Sequence, residues 1–367
     1  MPMAKHNAAN ERIKRRYFAY LTGAHGRDEA TVDAVAKSLA RFEGYTKARD
    51  FCRFHREQAM AFKVRLADTP AERSGQKLSK ATMLSTLRDL RAFFFWLADQ
   101  PGFKSRIAHS DADYFNLSDK DATIARAQRE KAVPTIAQVQ HVLAVMPVAT
   151  ALERRDRALI AFAAITGARA NALASFHLGH VNLAGGYVEQ DARVVRTKFS
   201  KTFRTFFMLG CEGGLDIVAA WIGELEHDHL WGPADPLFPA TLIGLDATGG
   251  FAAKGLARQG WATTTPIRDI FRRAFALADL PYFNPHSFRD MLVRHAMQLD
   301  LSPEEMKAWS QNLGHTDVLT TFTSYGAVPV HRQGDLIRSA GARRSGNGLD
   351  DGTLISELAK RLGKGPG

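Results

Sequence analysis

Residues Pro285–Gly326 read PHSFRDMLVRHAMQLDLSPEEMKAWSQNLGHTDVLTTFTSYG, and this stretch decides how the chain is read. It sets His286 and Arg289 one helical turn apart, then Leu313-Gly314-His315, then Tyr325 ten residues after the histidine. Breaking a phosphodiester without a metal requires cationic donors on the non-bridging oxygens, a proton-transfer group and a nucleophile. The segment contains each of them. Upstream, Thr166-Gly167-Ala168-Arg169 adds a second arginine at the end of an apolar helical run, and Lys198 and Lys201 flank a turn.

Each of these residues has an ordinary explanation when taken alone. Arg169 is a helix C-terminal cation in the favourable end of the macrodipole. His286 and Arg289 are an everyday helix-start pair, and Gly314-His315 is a C-cap followed by a polar residue. Their order is what carries information: Arg, Lys, His-x-x-Arg, Leu-Gly-His, Tyr, within one domain-sized interval. In that order the chain resembles the tyrosine recombinase (phage integrase) family of site-specific DNA recombinases. The specific motifs cover about residues 133–335, with a looser likeness over the helical N-terminal part.

The resemblance implies a set of roles. Tyr325 is the nucleophile, and Arg169 and Arg289 hold the phosphate bidentately, as a planar guanidinium suits paired oxygens. His286 contacts the phosphate or shuttles a proton, and His315 donates a hydrogen bond to the phosphate. A hairpin lysine protonates the 5′-oxygen leaving group, with Lys198 the first choice and Lys201 the alternative. The product is a 3′-phosphotyrosine that a second 5′-hydroxyl reseals through a Holliday junction. No cofactor is implied: no metal, ATP or redox group takes part. The implied partners are double-stranded DNA, a homotetramer on that DNA, and accessory or partner recombinases. A mobile element is the implied carrier. The alternatives are a Xer-like resolvase, a type IB topoisomerase-like strand transferase, and a non-catalytic DNA-binding relative.

Three features depart from the family pattern. Ala172 stands where an acid usually follows the first arginine by three positions, with Asn171 beside it. Asp290 replaces the histidine that often follows the second arginine, and is read as a brace. Tyr325 lies one residue further from His315 than in many relatives. Tyr282, which precedes His286, is the one rival nucleophile. Glu226, His227, Asp228 and His229 are consecutive and suit a loop better than a metal site, so no metal is assigned.

The bulk numbers agree with a polyanion partner. The 367 residues suffice for two domains, each with its own core. The formal charge is +11, and residues 1–130 carry 24 Lys and Arg against 16 Asp and Glu, leaving 25 against 22 for the remainder. Basic excess of this kind binds phosphates with sequence-independent affinity. Two cysteines, Cys52 and Cys211, make no disulfide framework. No apolar run approaches the roughly 20 residues of a membrane span, and the first residues lack the apolar core of a secretory signal. These features place the chain in a reducing, intracellular compartment with no membrane contact, and the resemblance implies the bacterial cytoplasm, at the nucleoid.

The fold class expected is mostly α with a small β-sheet (α+β), arranged as a two-domain DNA clamp. Residues 1–130 form a basic, helical core-DNA-binding domain, 131–340 an integrase-type catalytic domain, and 341–367 a tail with a short helix. Helical spacing marks 12–21, 30–42, 46–66 and, most clearly, 79–98. On the last, Met83, Leu87, Leu90, Phe94 and Leu97 share one face, and Lys80, Arg88 and Arg91 the adjacent arc that is offered to a phosphate backbone. Phe93–Trp96 reads as core. Residues 110–132 are polar and read as a linker. Strands are expected at 186–188, 193–196 and 204–209, with Lys198–Lys201 at a hairpin tip. Helices are expected at 135–143, 154–166, 216–226, 266–278, 286–299 and 303–313. Leu354, Ile355, Leu358 and Leu362 give the tail an apolar face too short to bury against its own domain, and the resemblance implies docking on a neighbouring protomer.

Overall fold

The structure is a computed structural model that describes residues 6–71, 75–127, 132–208, 210–299 and 301–315, with 333, 334 and 337 beyond them. The tail from 341 onward lies outside the described residues. The chain divides into two compact units at Ala127/Gln128. Both are predominantly helical, and the second carries small antiparallel sheets, so the class is α+β.

The first unit holds α1 (Ala8–Gly23), α2 (Glu29–Thr46), α3 (Arg56–Asp68), α4 (Lys80–Ala98), α5 (His109–Ala112) and α6 (Asp119–Arg126). Side-chain caps fix the starts: Asn7, Asp28, Ser79 and Ser118 each accept from an N–H of the following first turn. The core is aromatic. Phe93 and Phe94 of α4 are fully buried, and Phe94 stacks on Phe54 at 3.9 Å between centroids. Phe42, Phe51, Phe62 and Phe115 join the cluster. Each such ring pair adds about 0.5–1.5 kcal/mol beyond area burial.

Two expectations change here. The helix expected over 46–66 is interrupted, because Lys47 and Ala48 adopt left-handed φ values of 54° and 56° and a short 3-10 turn follows at Phe51–Arg53. That turn delivers Phe51 and Phe54 into the core, which offsets the roughly 1–2 kcal/mol that each left-handed residue costs. The stretch read as a linker holds α5 and α6 instead. Helix α6 buries none of its residues, so it lacks the apolar stripe that pattern reading requires.

The second unit is built around α8 (Ala151–Thr166), whose residues from Ala158 to Thr166 are all buried. The run ALIAFAAIT is apolar on every side, which suits a central helix rather than a surface one. Around it lie α7 (Ile136–Val145), α9 (Ala170–Leu173), α10 (Gly214–His227), α11 (Thr265–Leu277), α12 (Ser287–Ala296) and α13 (Pro303–Asn312). Strands β1 (Val181–Asn182), β2 (Tyr187–Gln190) and β3 (Phe203–Phe206) form a meander, with Tyr187 opposite Phe206 and Gln190 opposite Phe203.

The expected strand at 193–196 is absent. The backbone oxygen of Asp191 accepts from Val194 and Val195 N–H, and its carboxylate from Arg193 N–H, folding the chain into a turn that buries Val195. The hairpin tip is therefore a long loop, 191–202, with both lysines on it. A second hairpin, β4 (Thr241–Leu245) with β5 (Phe251–Leu256), was not anticipated. No helix among the described residues is long and apolar enough to cross a membrane.

Candidate active site

Helix α8 begins with a reciprocal capping box between Thr150 and Glu153 and stops at Gly167, whose φ of +59° a side chain rarely adopts. Space enforces the same choice. A Cβ on Gly167 would lie 2.8 Å from Leu313 Cδ2 and 3.0 Å from Leu292 Cδ1. The stop turns the chain so that Arg169 stands at the start of α9 in extended conformation, φ −72° and ψ 149°.

Helix α12 is started by Asn284, a residue the sequence reading missed. Its side-chain oxygen accepts from the N–H groups of His286 at 2.9 Å and Ser287 at 3.3 Å, and its carbonyl accepts from Ser287 Oγ at 2.6 Å. This asparagine before a proline is the available signal, a short polar side chain satisfying helix-start donors. It sets His286 at the mouth of the helix with its side chain 60% exposed and its Nε2 4.0 Å from Asp290 Oδ1 one turn later.

Arg289, from the same helix, is only 2% exposed. Its Nη1 donates to the Gly167 carbonyl at 2.6 Å, and its Nη2 donates to the Leu313 carbonyl and lies 3.2 Å from His315 Nε2. One side chain thus ties the end of α8 to the Leu313-Gly314-His315 turn that follows α13. A buried cation demands such dipoles, since an uncompensated charge is costly away from water.

His315 reports how the charges are grouped. Burial depresses its pKa most, followed by the positive groups Arg289, Arg169, His286 and Lys201, which together hold it at about 4. The ring is neutral at physiological pH. Because guanidinium nitrogens only donate, Nε2 is the acceptor toward Arg289 and the ring proton sits on Nδ1.

Arg289 lies against His315, and the charges of Arg169, His286 and Lys201 act on the same ring. Lys198 sits in a 3-10 turn, Lys198–Ser200, with its side chain exposed. The loop that carries both lysines is anchored by Arg196, which donates to the carbonyls of Ala174, Trp261 and Ala262. Nothing local in the sequence announces that role. Tyr325 lies outside the described residues. Tyr282 is 42% exposed, with the Arg272 guanidinium 5.3 Å from its ring centre. Ala172 is buried. No group of metal-ligating residues occurs among the described residues.

In the first unit, the α4 cations have carboxylate partners. Lys80 Nζ is 2.9 Å from Asp121 Oδ2, and Arg91 holds Asp113 Oδ1 through Nη2 at 2.6 Å and Nε at 3.0 Å while lying over the Phe95 ring. Arg88, 77% exposed, only grazes Asp89 at 3.8 Å. An exposed arginine that sequence reading missed, Arg41 of α2, donates to Thr86 Oγ1 of α4 at 3.1 Å.

No protein-family model and no curated protein matches the sequence. Solved structures do match the fold. A lambda integrase dimer bound to a COC′ core site aligns with a TM-score of 0.59 and 12% identity, over 87% of this chain and 99% of that one. The Tn1549 transposon integrase in complex with transposon right end DNA aligns at 0.55 and 13%, over 89% and 99%. The XerH site-specific recombinase bound to a palindromic difH substrate, in a post-cleavage complex, aligns at 0.54 and 14%, over 84% and 79%. The chain therefore has the fold of the tyrosine recombinases.

Proposed function

We propose that this chain is a site-specific DNA recombinase that cleaves and rejoins duplex DNA through a 3′-phosphotyrosine on Tyr325. The observation that carries the reading is the gathering of Arg169, His286, Arg289 and Lys201 about one neutral histidine, His315, on a fold shared with DNA-bound integrases.

In the proposed reaction, the Tyr325 phenol oxygen attacks phosphorus as its proton leaves, and His286, exposed at the mouth of α12, receives it. Negative charge builds on the non-bridging oxygens, where Arg169 and Arg289 supply preorganised donors, the largest single term in most such reactions. The His315 Nδ1–H adds a neutral donor. The bond to the 5′-oxygen breaks as a lysine delivers a proton, a step worth roughly 10²–10⁴-fold. Lys201, whose charge acts on His315, is taken for this task, with Lys198 the alternative. The phosphotyrosine conserves the bond energy, so attack by another 5′-hydroxyl reverses the chemistry on a new strand. Strand exchange between two sites then requires four protomers on DNA and passes through a Holliday junction, with integration or excision of a mobile element as the biological setting.

The test is covalent trapping. Nicked duplexes drawn from the DNA that flanks the gene are incubated with the protein in EDTA and resolved on a denaturing gel. An adduct that Tyr325→Phe abolishes is the expected result. Tight DNA binding without any adduct would overturn the catalytic reading in favour of a binding-only protein.

A further inference from the structure

Loop 191–202 carries the candidate acid, and the turn after α13 carries His315, yet they belong to distant parts of the sequence. Their relative placement is set by a small set of contacts along the outer edge of β3. Asn312, the last residue of α13, aligns its side-chain amide with that edge. Its Oδ1 accepts from Phe206 N–H at 2.6 Å, and its Nδ2 donates to Phe206 O at 2.9 Å. The amide thus presents the donor and acceptor that a neighbouring strand would present. The Asn312 carbonyl, one of the orphans at a helix C-terminus, accepts from Thr205 Oγ1 at 3.0 Å. Thr205 in turn accepts from Gln190 Nε2 at 2.9 Å, at the end of β2. Thr205 and Gln190 are both buried, so this relay is shielded from water and costly to leave incomplete.

Packing completes the join. Gly314, at φ +71°, has no room for a Cβ, which would lie 2.7 Å from Phe203 Cζ. The Phe203 ring therefore rests against the backbone next to His315, and Phe203 is two residues after Lys201. Both stems of the lysine loop, Gln190 on one side and Phe203 to Phe206 on the other, are pinned to the turn that presents His315.

We infer that Asn312 is a positioning residue that fixes the register of β3 against the Leu313-Gly314-His315 turn and so holds the Lys201 ammonium at the leaving-group side of the site. The inference rests on the reading of the chain as a phosphotyrosine-forming enzyme. A misplacement of about 1 Å costs on the order of 10²-fold in rate, which is the scale expected when the amide is removed.

The experiment uses full-length protein and two nicked substrates, one with the normal 5′-oxygen at the scissile position and one with a bridging 5′-sulfur. A thiolate leaves without a proton, because its pKa is near 8.5, so the sulfur substrate needs no acid. Asn312→Leu is expected to slow adduct formation on the oxygen substrate by about 10²-fold, with DNA affinity unchanged and the sulfur substrate cleaved within about threefold of wild type. Asn312→Asp, which keeps the acceptor for Phe206 N–H, is expected to fall between, and Lys201→Ala to show the same selective rescue. Wild-type behaviour of Asn312→Leu on the oxygen substrate overturns the inference. So does an equal defect on both substrates, which would mark a general loss of fold or of phosphate binding. Wild-type protein that forms no adduct on either substrate overturns the underlying reading, and the inference with it.

Discussion

The first unit's α4 cations and the second unit's Arg289 are held in opposite ways. In the first, which carries most of the net positive charge, the α4 cations Lys80 and Arg91 are partly exposed and closed onto Asp121 and Asp113. In the second, nearly neutral overall, Arg289 is buried and held by two carbonyl oxygens beside a neutral imidazole. Exposed ion pairs contribute little, commonly 0–1 kcal/mol, and water screens them. A cation held by dipoles in a water-poor setting keeps its field for a ligand. Net charge locates affinity for a polyanion; how each cation is held locates chemistry.

Four measurements sharpen or break this contrast, in decreasing order of expected effect. Arg289→Lys removes the planar fork that reaches both carbonyls and the histidine. Single-turnover adduct formation should fall by about 10²–10³-fold, the cost of one oxyanion donor; a loss below threefold would place the chemistry elsewhere. Gly167→Ala forces a methyl against Leu313 and Leu292 at positive φ. Denaturant melts should report a loss of about 1–3 kcal/mol, typical of overpacking, confined to the unfolding of the second unit.

The third measurement follows pH. His315 titrates at about 4 in the folded chain against 6.5 for an unperturbed histidine. Between these values the unfolded chain binds the extra proton, so the second unit loses stability as pH falls from 6.5 to 4 and regains it above 6.5. His315→Gln should flatten that part of the profile, and an unchanged profile would mean the ring is not held neutral. The smallest effect concerns the first unit. Arg88→Ala should reduce the salt slope of non-specific DNA binding by about 0.9, and Lys80→Ala by clearly less, because its charge is already paired. Equal slopes for the two would dissolve the contrast.

Helices α4 and α13 were legible because apolar spacing agrees with a serine cap, Ser79 and Ser302, and α8 because its apolar run ends at Gly167. The order of Arg169, His286, Arg289 and His315 was equally plain. Elements without an apolar stripe were not legible: α6 buries nothing, and β4–β5 carries Ile243, Leu245 and Phe251 exposed, with a bulge between Leu242 and Ile243 that breaks the alternation. The strand expected at 193–196 failed because Arg-Val-Val-Arg offers two β-branched residues that favour strands, while Asp191 supplies a turn that no propensity scale weighs. Asn284, Asn312 and Arg196 stayed hidden for another reason. Each acts through bonds to main-chain groups, and for Asn312 those lie 106 residues away, where pattern gives no purchase.

The two oxygens that hold Arg289 belong to the main chain at Gly167 and Leu313. A carboxylate in their place could be deleted by a single codon change. Peptide carbonyls survive every substitution at their own positions, so drift can displace these ligands but never remove them, and the arginine's seat is inherited with the backbone itself.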